Sequence, residues 1–114
     1  MIHTECWSDF TDEPLTLENV KNIYDPSKIY RIHFDNWELG SINGFWLITA
    51  GYTTYYIQQG TVMYISEETN EELSAGPGCI VKLPKGDYLC KVTSDIRLEF
   101  IKVLEWPDGF LRNP

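Results

Sequence analysis

The sequence predicts an all-β domain, a small barrel or sandwich with a short helix near its start. Three observations point there. Short runs rich in β-branched and aromatic residues recur along the chain, some of them alternating apolar with polar side chains as a half-buried strand requires. Gly and Pro separate these runs where turns belong. A length of 114 residues makes one domain with one core, enough to bury roughly two-thirds of the unfolded chain's surface.

Taken in order, the strand signal is weak before residue 25. PLTLENVKNIY, residues 14–24, sets Leu17, Val20 and Ile23 or Tyr24 at helical spacing, with Pro14 where a first turn tolerates it. Residues 1–28 are therefore expected to pack as an N-terminal segment on a barrel built by 29–106. KIYRIHF, residues 28–34, alternates Tyr30, Ile32 and Phe34 with Arg31 and His33. The apolar set is expected to be buried and His33 to face the surface. GFWLITA and TTYYIQQGTVMYI follow, and Gly60 divides the second run into two strands.

SEETNEEL, residues 66–73, reads as the polar tip of a hairpin, and its glutamates lack the spacing of a calcium loop. Ile80 to Leu83 is a short buried strand between two corners, Pro77-Gly78 and Pro84-Lys85-Gly86. DIRLEFIKVLEW is a long last strand, ended by Pro107 and Gly109.

Charge and composition narrow the function classes. Nine Lys+Arg against 17 Asp+Glu give a net charge of −8, a surface that repels phosphate backbones and anionic membranes, so neither is expected as a partner. Cys6, Cys79 and Cys90 are odd in number and lack metal-type spacing. With no signal-peptide pattern in MIHTECWSDF, they read as free thiols of a cytoplasmic protein. The strongly apolar run Phe45 to Ile48 is far too short for a membrane span.

GPGCIVKLPKGDYLCKV, residues 76–92, resembles the second motif of the cupin superfamily, small β-barrels of jelly-roll type. Gly78, five residues, Pro84, Lys85, Gly86, two residues, Leu89, three residues, Thr93 follows that motif's frame. Gly40, Trp46, Ile48, Thr53 and Gly60 fit the spacing of the first motif, and 17 residues separate Gly60 from Gly78. Within the superfamily the likeness is to the small cupins of ethanolamine utilisation, through GFW, LPKG and EWPDGF. One of those has been linked to acetate kinase activity, but such proteins carry acidic residues before the glycine matching Gly60. This chain has TTYYIQQ there, so the kinase activity is not carried over.

The resemblance implies a single-domain jelly-roll barrel. In metal-binding cupins the positions matching Trp46, Ile48, Thr53 and Leu89 would be two histidines, a glutamate and a histidine. Indole and alkyl groups donate no lone pair to a metal, so no metal and no other cofactor is expected. If these residues keep the inward direction of that motif, Trp46, Ile48, Thr53 and Leu89, with Tyr55 and Lys91, either fill the barrel as core or line an apolar pocket. Tyr55 and Lys91 would be the polar anchors of such a pocket.

Two functions stay open. One is a non-catalytic small-molecule-binding or interaction module, expected to be a homodimer because KIYRIHF and Trp37 offer more aromatic surface than one small barrel covers. The other is a metal-independent isomerase, epimerase or lyase using Tyr55 or Lys91 for proton transfer. Metal-free cupin epimerases carry a His-Asp pair with a tyrosine, and no inward histidine is expected here. No Ser-His-Asp arrangement, phosphate loop or dinucleotide fingerprint is present.

Overall fold

A computed structural model describes residues 2–25, 30–38, 45–49 and 52–105. Among them, strands β1 (His3–Cys6), β2 (Tyr30–Trp37), β3 (Phe45–Thr49), β4 (Tyr52–Gln59), β5 (Val62–Ser66), β6 (Glu72–Ala75), β7 (Cys79–Leu83), β8 (Gly86–Val92) and β9 (Leu98–Glu105) form two sheets. One has the order β1-β7-β4-β9-β2 and the other β3-β8-β5-β6, and the mapped pairings are antiparallel. The expected all-β jelly-roll barrel is what the chain forms. Its first strand comes from the N-terminal segment, so residues 1–28 contribute to the sheet as well as packing on it.

Turn chemistry divides the strands where the sequence marks it. Gly60 closes β4 at φ +81°, a conformation L side chains rarely adopt. A Cβ there would also stand 2.9 Å from the Arg97 carbonyl oxygen. The polar tip 67–71 joins β5 to β6, with Asn70 at φ 57°. Gly86 opens β8 at φ +156°. The Gly40 corner and the EWPDGF end lie outside the described residues.

Hydrophobic clusters cover both faces of the five-stranded sheet. Inside the barrel, Tyr55, Ile57, Val62, Tyr64, Val81, Leu83, Cys90, Leu98 and Phe100 form a core that water does not reach, with Trp37 and Leu47 packed against it. Outside, Tyr56, Ile80, Ile101 and Val103 meet Trp7 and Val20 of the N-terminal segment, with Leu17, Tyr24 and Ile32 joining. Thr53 to Ile57 of β4 are buried without interruption, because a strand covered on both faces has no solvent side to alternate with.

The predicted helix, α1, runs over Leu17–Lys21 and places Val20 in the outer cluster. Its cap is Thr16, whose hydroxyl accepts the Asn19 backbone N–H at 3.2 Å, so Pro14 lies before the helix rather than in its first turn. No helix among the described residues is long and apolar enough to cross a membrane.

The same two-sided burial reverses one expectation. β2 does alternate, but Ile32 lies on the outer face against α1, and Phe34 remains 47% exposed. The inner face of β2 carries His33, Asp35 and Trp37, as the contacts of Trp37 with Tyr55, Tyr64 and Phe100 show. His33 is thus an inward histidine.

Candidate functional site at the barrel edge

Cross-strand register sets polar side chains in a row on the inner face. His33 of β2 pairs with Lys102 of β9, which pairs with Tyr55 of β4, which pairs with Val81 of β7. The Lys102 ammonium lies 5.9 Å from the centroid of the Tyr55 ring, a cation–π distance. One row toward the start of β2, Arg31 pairs with Leu104, and Leu104 with Thr53. One row the other way, Asp35 pairs with Phe100.

β2 is an edge strand, which leaves this end of the row half open to water. His33 and Asp35 side chains are 41% and 48% exposed. His33 Nε2 and Asp35 Oδ2 are 3.9 Å apart, while Asp35 Oδ1 accepts the Asn36 backbone N–H at 2.8 Å. Among the described residues no carboxylate forms an ion pair with Lys102. Arg31 and Lys102 therefore place two cationic groups on one face of an acidic protein, with His33 between them in the strand order and Asp35 beside His33.

Behind the row the barrel is closed by rings. Trp37 packs 4.9 Å from Phe100 and 5.4 Å from Tyr55, and Tyr55 packs 5.7 Å from Tyr64, all centroid to centroid. The Tyr55 and Tyr64 hydroxyls are buried and have no hydrogen-bond partner among the described residues. Burial holds both phenols far above their ordinary range, and it pushes the Cys90 thiol beside them up to about 12. These groups are neutral at physiological pH and shut off from solutes.

The four of the six expected pocket residues whose side chains are described do not come together. Thr53 and Tyr55 are on the inner face, and both are buried. Leu89 and Lys91 are not inward: β8 turns Tyr88 and Cys90 into the core, so Leu89 and Lys91 fall on the outer face of the four-stranded sheet. There they pair with Ile65 and Met63 of β5. Trp46 and Ile48 take backbone register with Leu89 and Asp87, and their side chains lie outside the described residues. An inward ammonium next to Tyr55 does exist, but it belongs to Lys102.

Sequence reasoning missed His33, Asp35 and Lys102 as inner residues. Their signal was the shared parity of His33 and Asp35 with Trp37, and of Lys102 with Leu98 and Phe100.

The donors here do not suit the transition metal that many cupins hold. Among the described residues no three His, Cys, Asp or Glu side chains come together. His33 and Asp35 provide two donors beside an ammonium that repels a cation, and the Cys90 thiol stays protonated. All three cysteines are unpaired, with Cys90 buried and Cys6 exposed.

No family model and no curated protein matches the sequence. Two solved structures resemble it over most of its length. A cupin superfamily protein from Desulfitobacterium hafniense is 11% identical and covers 94% of this chain and 79% of its own, with a TM-score of 0.54. A DUF861 family protein from Thermotoga maritima is 18% identical and covers 93% of this chain and 100% of its own, with a TM-score of 0.51. At such identities the likeness is one of backbone architecture. With its two antiparallel sheets and closed aromatic centre, the chain has the cupin fold.

Proposed function

We propose that the protein is a metal-independent, non-catalytic binding module that takes a small anionic molecule at the β2 edge of its barrel. One observation carries the reading: Lys102, a half-buried residue, has no carboxylate ion-pair partner among the described residues and is paired in register with His33. A partly buried cation without a carboxylate partner gains from a ligand that brings negative charge. Arg31 at the rim adds a fork of donors suited to carboxylate or phosphate. The sealed phenols behind the row would act as a wall.

Calorimetric titration with inorganic phosphate, citrate and sugar phosphates tests this. At least one is expected to saturate, with an affinity that falls as salt rises, drops about tenfold in Lys102→Met and stays unchanged in Lys91→Met. No saturation by any of them, or equal binding to Lys102→Met, would remove the proposal. Elemental analysis is expected to find far less than one transition-metal ion per chain.

The second reading, a metal-independent isomerase, epimerase or lyase, draws on the inward His33 with Asp35 beside it. Against it stands Tyr55, which is too buried to meet a substrate. Incubating sugar derivatives with the protein in D2O distinguishes the two. Protein-dependent exchange of a C–H proton, lost in His33→Gln, would make it an enzyme.

The same proposal includes a homodimer. Part of the KIYRIHF face is covered by the protein's own α1 through Ile32. The outer face of the four-stranded sheet, with half-buried Met63, Ile65 and Leu89, offers a second apolar surface. Light scattering near 13.2 kDa at micromolar concentration would rule the dimer out.

A further inference from the structure

The outer face of the five-stranded sheet is not fully covered by the N-terminal segment. Two cavities of about 670 Å3 and about 290 Å3 lie there, and both are bounded by Ile23, Tyr56 and Lys82, which makes them two lobes of one groove. The larger has a polar floor, a cross-strand row of His3 from β1, Lys82 from β7 and Thr54 from β4. The Tyr24 and Tyr56 hydroxyls, 2.7 Å apart, stand in its wall. The smaller lobe is walled by the rings of Trp7 and Phe10 with Ile23 and Ile80.

The exposed apolar side chains are unevenly distributed. Of five large hydrophobic residues left exposed among the described ones, Phe10, Ile23 and Tyr52 line this groove. A patch of that kind beside an ammonium and an imidazole marks an amphipathic ligand rather than a bare surface.

From this we infer that the groove is a second binding site, one that takes a monocarboxylate with an apolar aryl or alkyl body. The carboxylate lies over Lys82, Thr54 and His3, and the body runs into the lobe between Trp7 and Phe10. A single negative charge is what the floor supports. Glu5 Oε1 already holds the Lys82 ammonium at 2.8 Å, so a dianion would meet one shared cation and a carboxylate of the protein. The site is separate from the barrel edge: Thr54 and Tyr56 face away from the row that carries Tyr55 and Lys102.

The test is an NMR titration with octanoate and phenylpropionate, using octanol as the neutral control. The reporter is the Trp7 indole N–H, which donates to the Glu13 carbonyl at 2.7 Å in the wall of the small lobe. Both acids are expected to shift that signal saturably. Phe10→Ser, at an exposed position, is expected to weaken both acids about fivefold, and Lys82→Met about tenfold without weakening octanol. Glu5→Gln removes the competing carboxylate and is expected to tighten both acids severalfold, which a merely structural role would not do. Lys102→Met is expected to change nothing here.

An unshifted Trp7 signal up to about 10 mM acid would overturn the inference. So would octanol binding as well as octanoate, or affinities indifferent to both Lys82→Met and Glu5→Gln. Loss of binding in Lys102→Met alone would move the acids to the barrel edge and equally defeat it.

Discussion

Tyr55 and Tyr56 are neighbours in β4 and meet opposite surroundings. Tyr55 points into the barrel, where its ring packs against Trp37, Tyr64 and Phe100 and its hydroxyl has no partner among the described residues. Tyr56 points to the outer face, where its hydroxyl pairs with that of Tyr24 beside a groove open to water. Among the described residues the inner face supplies cohesion, and its half-exposed groups His33 and Asp35 lie on the edge strand β2. The outer face of the same sheet, partly covered by residues 7–25, carries a recess.

The widest gap between buried and half-buried positions is in packing. Phe100→Ala is expected to lower stability by roughly 3–5 kcal/mol, because a cavity opens among rings that have nothing to replace it. Leu89→Ala, on the half-buried outer face of β8, is expected to cost less than about 2 kcal/mol. Chemical denaturation measures both. Equal losses would mean that β8 turns Leu89 inward after all.

Alkaline titration probes the inner face alone. Burial raises the Cys90 thiol from its ordinary 9.0 to about 12, and Tyr55 and Tyr64 rise as well. The folded state then keeps protons that the unfolded chain releases. The associated stability is complete below pH 9 and declines as pH climbs through the window from 9 toward 12, by up to about 1.4 kcal/mol per pH unit for each group. Cys90→Ala is expected to flatten the part of the decline that begins near 9, as read from denaturation midpoints at successive pH values. A profile flat to pH 11 in the wild type would contradict the burial of these groups.

The smallest effect compares the phenols themselves. Removing an unpartnered buried hydroxyl relieves a desolvation cost, so Tyr64→Phe and Tyr55→Phe are expected to be neutral or stabilising by up to about 1 kcal/mol. Tyr56→Phe breaks the bond to Tyr24 and is expected to cost about 0.5–1.5 kcal/mol. Thermal melts of the three variants give the order. A clear loss in Tyr64→Phe would point to a bond inside the barrel.

Much of the architecture was legible from residues alone. Alternation and β-branched runs located β2 to β5, β7 and β9, whereas β6 and β8 were implied by the turns beside them rather than read as strands. Gly60 marked the β4–β5 corner, SEETNEEL at 66–73 the hairpin tip, and Leu17 with Val20 the short helix, because each of these depends on local backbone preference. β1 was not legible: HTEC carries no strand pattern, and it forms a strand only because β7 offers it an edge.

What tertiary structure alone decided is which face of each strand looks inward. Alternation has a period of two, so it sorts side chains into two sets without saying which set meets the core, and a change of one residue swaps them. Where both faces of a sheet are covered, hydrophobicity does not break the tie. That is how Ile32 came to lie outside and His33 inside, and how Lys102, in a strand whose two sets each mix apolar with charged residues, became the inward ammonium in place of Lys91. Long-range pairing of β2, β9 and β4 settles the question, since burying Tyr55, Phe100 and Trp37 together is worth more than any single polar preference along the way.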